Sequence, residues 1–257
     1  MDNPILQSML NRKSIRKYKS DMPTDEIIQA IVRSGQQAPF AYQCYSILLD
    51  RKNKHPFGAP LQFTICVDLH KLEMIMKKRN WTIVINDLSM LIMGIQDAAY
   101  TAGNMVMAAE SLGLGSCFIG ATPYYAKKIV EEYKLPNKVF PLVQLVMGYP
   151  AEDPTPRPRY PMEYCLFEDQ YPEFTDEMID NAIAEMDEGY INQNYYRDMN
   201  NMIPIKDGSK ELYTFDNYGW TEHISRKAGQ WLESPEELLE QFEACGFNIR
   251  YESAKND

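Results

Sequence analysis

A chain of 257 residues can bury a full hydrophobic core, and 45% hydrophobic with 24% charged residues is the composition of a globular protein. A formal net charge of −10 argues against general nucleic-acid binding, and it means that any anion site has to be assembled locally from cations. Gln96 and Asp97 interrupt the best apolar run before it could span a bilayer, and MDNPILQSMLN has no signal-peptide pattern. The five cysteines are scattered and never in C-x-x-C spacing, which reads as reduced thiols in a cytoplasmic protein without a structural zinc.

NPILQSMLN reads as a short opening helix, with the basic run NRKSIRKY at its end. Thr24 is positioned to cap a helix whose Ile27, Ile28 and Ile31 share one face. SILLD (46–50) and FTICVD (63–68) read as strands across a polar, Pro- and Gly-punctuated loop. Asn86 or Asp87 opens the longest helix, to about Leu112, whose apolar residues nearly encircle it and call for burial in a core or a subunit interface. Gly113 and Gly115 are expected to cap that helix and turn the chain into the strand SCFIG. PYYAKKIVEEYKL follows as a helix with Pro123 in its first turn, and PLVQLVMGYP as a central strand. Further helices are expected near 176–188 and 235–245. Helices and strands do not alternate strictly, so the class is α+β. Residues 1–167 carry 19 Lys and Arg against 15 Asp and Glu, and residues 168–257 carry 7 against 21. That shift divides the chain into a core, 1–167, and an acidic C-terminal extension, 168–257.

Two cationic motifs stand out against the acidic background. NRKSIRKY is either a solvated helix end or an anion clamp; if helical, Arg12 and Arg16 share a face, and Ser14 adds a hydroxyl. In TPRPRYP, Arg157 and Arg159 alternate with prolines, so this stretch is either a solvated linker or an extended segment with both side chains on one side. AAESLGLGSCFIG contains G-x-G, but its glycines follow a helix and precede a strand, the reverse of a dinucleotide fingerprint. Gly120 would let a planar ring approach the backbone. His55, His70 and His223 show no metal spacing, and His223 reads as a packing residue. No nucleophile motif or paired-carboxylate signature is present, so a cofactor is expected to carry any reaction.

RKSIRKY, QAPFAYQC, AAESLGLGSCFIG, MGYPAEDPTPRPRYP and GWTEHISRK occur in order and spacing that resemble the FMN-dependent nitroreductase and flavin reductase family. The last of these resembles the C-terminal signature of its oxygen-insensitive major nitroreductase and NADPH–flavin oxidoreductase branch. The resemblance implies a mainly antiparallel sheet flanked by helices, in an intertwined homodimer with FMN at its interface and the acidic extension packed on core and partner. It implies that Arg12, Lys13, Ser14 and Arg16 hold the FMN phosphate and ring edge, with Arg157 and Arg159 reaching the phosphate. Phe118, Ile119, Gly120 and Ala121 would lie along the ring, with Ala38, Pro39 and Phe40 at its other edge and Asn53 as a further polar contact. NAD(P)H would pass a hydride to flavin N5, and a flat acceptor (a nitroaromatic, a quinone or free flavin) would then be reduced in ping-pong order. A cation near N1 and O2, Lys13 or Arg12, would stabilise the reduced ring, and no side chain is expected to act as acid or base.

The chain departs from this pattern at Phe40 and Ala41, where many relatives have serines, and at Pro123, where the branch has an arginine. Between Tyr190 and Trp220 it offers only Arg197, Lys206 and Lys210 to a nucleotide 2′-phosphate, which leaves NADPH and NADH both open as donors. Two other functions fit the same residues: a non-catalytic FMN-sensing dimer, or a reductase of this fold serving dehalogenation or ene reduction.

Overall fold

The computed structural model describes residues 3–206, 208–231 and 234–250. They form two compact units: one from the described residues of Met1–Pro154 and Ser234–Asp257, the other from those of Thr155–Glu233. The charge shift at 167/168 does not coincide with this division, because the last helix of the acidic region packs into the first unit.

In the first unit, β1 (Tyr45–Asp50), β2 (Leu61–Asp68), β3 (Gly115–Ile119) and β4 (Val139–Gly148) form one antiparallel sheet in the order β1-β2-β4-β3. The apolar run 139–148 is central, as its composition predicts. The register of β2 against β4 shifts between Ile65 and Cys66, which pair with Val143 and Pro141. Such an irregularity accommodates a proline, which has no N–H to give, inside a sheet. Leu61, Phe63, Ile65, Leu145 and Met147 are buried against α2 (Asp25–Gln36) and α4 (Asp87–Ser111). Thr24 and Asn86 cap these two helices through their side-chain oxygens.

Helix α4 buries Met90, Leu91, Gly94, Asp97, Ala98, Thr101, Ala102, Met105, Val106 and Ala109, spaced by threes and fours. Leu88, Ile92, Met93 and Tyr100 of the same helix are exposed on this chain, so one chain covers only part of the expected apolar girdle. α2 lies close to α4, since a Cβ on Gly35 would stand 2.7 Å from Met105 Cγ. Helix α3 (His70–Lys78) was not foreseen: no side chain caps it and it buries no residue. A 3₁₀ turn, Thr122–Tyr125, holds Pro123, and α5 (Ala126–Tyr133) starts after it. Gly113 takes the left-handed conformation after α4 (φ 78°). Gly115, by contrast, is the first residue of β3 and not a turn residue. α1 (Pro4–Leu10) opens the chain. Ser234 caps α9 (Pro235–Ala244), and Phe242 in its last turn and Phe247 just beyond it pack on Phe140 at centroid distances of 4.3 and 6.4 Å.

The second unit contains α6 (Asp176–Asn192), α7 (Tyr195–Asp198) and α8 (Trp220–Gln230) around Met186, Tyr190, Tyr196 and Tyr218. Asp187 accepts from Thr221 N and Oγ1 at 2.7 and 2.6 Å, and Gly219 makes room, since a Cβ there would fall 2.1 Å from Asp187 Cγ. Arg226, buried, donates to Glu211, Glu222 and the Ile203 carbonyl. His223 stacks on Tyr196 at 4.3 Å with Nδ1 3.2 Å from the Tyr218 hydroxyl, the packing role read for it. Burial, and then the Lys227 charge, lower its pKa. Among the described residues no helix is long and apolar enough to cross a membrane.

Candidate cofactor site

The basic run is not helical. α1 stops at Leu10, and the following residues are clipped along the edge of the sheet. Ser14 pairs with Ser116 of β3 as a parallel bridge, and Ile15 N donates to the Ser116 carbonyl at 2.9 Å. Tyr18 pairs with Pro150, while Lys19 N donates to the Tyr149 carbonyl at 2.8 Å and Ala151 N to the Lys17 carbonyl at 2.9 Å. The run thus closes an open sheet edge, which would otherwise leave backbone groups unpaired. Ile15, buried, is the peg of this docking: a Cβ on Gly115 would stand 2.4 Å from its Cγ1. Residue spacing along an extended segment alternates faces, so Arg12, Ser14 and Arg16 still share one.

The cations of the run are not equivalent. Lys13 forms an ion pair with Asp153, and Glu152 accepts from Arg16 N. The Arg12 guanidinium lies over the Phe118 ring and that of Arg16 over Phe57, each 5.9 Å from the centroid. Neither guanidinium has an ion-pair partner among the described residues. Phe57 is itself in the left-handed region (φ 62°), an uncommon conformation for an aromatic residue. Glu110 of α4 sits near this cluster: burial raises its pKa, and the charges of Arg12 and Lys13 pull it down. A cavity of about 260 Å³ beside the run is lined by Lys13, Ile15, Glu110, Gly115, Glu152 and Asp153, among others.

Strand β3 leads directly into the other predicted contacts. Phe118 is exposed, and a Cβ on Gly120 would meet nothing within 4 Å, so the backbone there faces open space. Thr122 fixes the turn, donating to the Ile119 carbonyl at 2.7 Å and accepting from Gln144 N at 2.9 Å. Ala38 N donates to the Gly35 carbonyl at 3.1 Å, which places Pro39 and Phe40 in the exposed loop after α2. Asn53 lies in a turn capped by Asp50: its N and Nδ2 donate to that carboxylate at 3.2 and 2.5 Å. Burial raises the Asp50 pKa, but the hydrogen bonds from Lys52 and Asn53 outweigh it and leave the pKa lowered. Arg157 and Arg159 belong to the second unit. The Arg157 guanidinium lies 3.9 Å from the Tyr195 ring centroid and donates to Gln193 Oε1 at 2.6 Å, and Arg159 donates to the carbonyls of Arg157 and Pro158.

Residues 45–149, which run from β1 through β4, match the sequence profile of the Nitroreductase family. The FMN reductase (NADPH) of Bacillus subtilis (strain 168) is 31% identical over 192 residues, covering 68% of this chain and 77% of its own length. The Cr(VI) reductase of Pseudomonas sp. (strain G-1) is 31% identical over 182 residues, 65% of this chain and 75% of that protein. The chain belongs to the nitroreductase family. Its fold agrees: the structure of the NfrA1 nitroreductase from B. subtilis superposes with a TM-score of 0.79 at 25% identity, covering 96% of this chain and all of that one.

Within this family member, the structure brings Arg12, Lys13, Ser14 and Arg16 together with β3 and Phe118. It holds Ala38, Pro39 and Phe40 in a separate loop packed on α4. Thirteen residues of α4 separate Asp97, which holds that loop, from Glu110 beside Arg12, about 20 Å along the helix axis at 1.5 Å per residue. Sequence reasoning missed Glu110, Glu152, Asp153 and Phe57 as neighbours of the basic run. Nothing in their local sequence marks them, because they come from three separate places: α4, the β1–β2 connection and the stretch after β4.

Proposed function

We propose that the protein is a homodimeric FMN-dependent oxidoreductase that takes reducing equivalents from NADH or NADPH and delivers them to flat acceptors such as nitroaromatics, quinones or free flavin. The observation that carries this is the basic run, moored on β3, whose Arg12 and Arg16 guanidiniums have no ion-pair partner among the described residues: Arg12 lies over the exposed Phe118, two positions before an open Gly120, and Arg16 lies over Phe57. In an acidic protein such cations have to be retained for an anion. FMN fits these residues, because planar guanidinium forks suit phosphate oxygens and the unencumbered backbone at Gly120 admits a flat ring. When bound, FMN supplies hydride and electron transfer between two substrates that use the same face in turn.

Arg16, Ser14 and Arg12 would hold the phosphate and ring edge, and Phe118, Ile119, Gly120 and Ala121 would lie along the ring. Arg12 would supply the positive charge that favours the reduced, anionic ring; the Lys13 ammonium already faces Asp153. Ala38, Pro39, Phe40 and Asn53 are proposed at further edges of the site. The separation along α4 supports a dimeric site, in which the 38–40 loop and the basic run of one protomer serve different flavins. The exposed Leu88, Ile92, Met93 and Tyr100 on α4 support the same pairing, since a soluble monomer rarely leaves such a stripe open. Five unpaired cysteines are in keeping with a cytoplasmic location.

The test is flavin binding by the Arg12→Ala/Arg16→Ala protein. Charged hydrogen bonds contribute about 1.5–3 kcal/mol each, so the FMN dissociation constant should rise at least tenfold. Unchanged affinity would remove the basic run from the site.

A further inference from the structure

The nearly continuous apolar surface of α4 is interrupted by Asp97, buried to 1% exposure. Among the described residues its carboxylate forms no ion pair; it accepts three backbone N–H groups. Ala41 N donates to Oδ1 at 2.6 Å, and Tyr42 N and Cys44 N donate to Oδ2 at 3.1 and 2.9 Å. Gln43 between them is in the left-handed region (φ 53°), the turn that lets the N–H groups on either side converge on one oxygen. A buried carboxylate is retained only where it is fully hydrogen-bonded, and here its partners are all one loop.

The rest of α4 is shaped for the same loop. One turn earlier, Gly94 lets the helix close in: a Cβ there would stand 2.4 Å from Val67 Cγ1 and 3.4 Å from the Cys44 carbonyl oxygen. Toward the C-terminal end, Thr101 and Met105 pack on Gly35, and Asn104 Nδ2 donates to the Ser34 carbonyl at 3.2 Å. Both ends of the 35–44 segment are thereby registered on one rigid helix, with Asp97 as the polar pin in the middle.

We infer that Asp97 is a positioning residue for the cofactor site: by fixing the backbone of residues 41–44 it sets where Ala38, Pro39 and Phe40 stand against the flavin. The inference rests on the assignment of residues 38–40 to the FMN site. The loop is held from beneath through its backbone N–H groups, whatever side chains stand at positions 40 and 41.

Amide hydrogen exchange on the wild-type protein without flavin comes first. The amides of Ala41 and Tyr42 lie in an exposed loop yet should be protected to the level of neighbouring helix amides. Exchange at open-loop rates would overturn the inference. Asp97→Asn keeps the shape but turns an amino group toward N–H donors. It should raise the FMN dissociation constant at least tenfold and, at saturating FMN, change the visible circular dichroism of the bound flavin. Gly94→Ala, whose added Cβ would stand 2.4 Å from Val67 Cγ1 of β2 and so shift α4 beneath the loop with Asp97 intact, should change the same spectrum, and it serves if Asp97→Asn does not fold. Phe247→Leu, a core change elsewhere in the unit, should lower stability without moving either flavin signal. Wild-type affinity and spectrum in Asp97→Asn, or equal changes in Phe247→Leu, would refute a positioning role. If the wild-type protein itself took up no FMN, the assignment of the site would fail, while the exchange measurement would still decide whether Asp97 holds the loop.

Discussion

Replacing Gly115 with alanine tests whether the basic run is held by the sheet edge. The added Cβ would stand 2.4, 2.8 and 3.2 Å from Cγ1, Cβ and Cγ2 of Ile15, too close for any rotamer of Ile15 to relieve, since its own Cβ is among the contacts. The chain has two ways out. It can strain in place, at about 1–3 kcal/mol for overpacking. Or it can release the run, forfeiting the burial of Ile15, about 1.5–3 kcal/mol, and the Ile15 N–H bond to Ser116, about 1 kcal/mol. The two costs overlap, so the total loss of stability should be about 1–4 kcal/mol in a urea titration. Flavin affinity separates the routes: release frees Arg12 and Arg16 from their mooring, and FMN binding followed by fluorescence quenching should weaken at least tenfold. Gly113→Ala is the control, because its left-handed φ costs about 1 kcal/mol but its Cβ meets nothing, so affinity should hold. A Gly115→Ala protein with wild-type stability and wild-type FMN affinity would refute the docking.

Two other predictions concern pH and assembly. Hydrogen bonds from Arg226, then from Tyr213 N, bring the Glu211 pKa from 4.5 down to about 2. Its contribution to stability is therefore complete above pH 4.5 and lost as pH falls toward 2. A near-UV circular dichroism titration should show a loss across that window which is smaller in Glu211→Gln; identical titrations would contradict the pairing. Ile92→Asp places a charge on the exposed stripe of α4, 49% open on a single chain, and should convert a dimer to a monomer in sedimentation velocity. A dimer that persists would move the interface elsewhere.

Much of the first unit could be read from the chain because its signals are local. Thr24 and Asn86 cap helices at their own N-termini, and the 139–148 run has the continuous apolarity of a strand covered on both faces. The basic run was legible as a cluster of charge, but its conformation was not: Arg12 and Arg16 share a face in a helix and in an extended segment alike. What decides between them is Ile15 fitting over Gly115, a contact between residues 100 positions apart. Gly115 looked like a turn residue for the same reason. Asp97 registered only as a break in an apolar helix, since the three N–H groups that explain it lie more than fifty residues earlier. The last helix was found, but its place in the first unit depends on Phe242 and Phe247 meeting Phe140, which charge composition cannot reveal.

The measurement that bears most directly on the proposed function is an anaerobic titration of the FMN-reconstituted protein with NADPH and, separately, with NADH, following flavin absorbance. Bleaching of the bound flavin by at least one nucleotide, with return of colour on adding a quinone or nitroaromatic, is the expected result. A bound flavin that stays oxidised with both donors would contradict the reductase, and a protein that takes up no FMN would contradict the site itself.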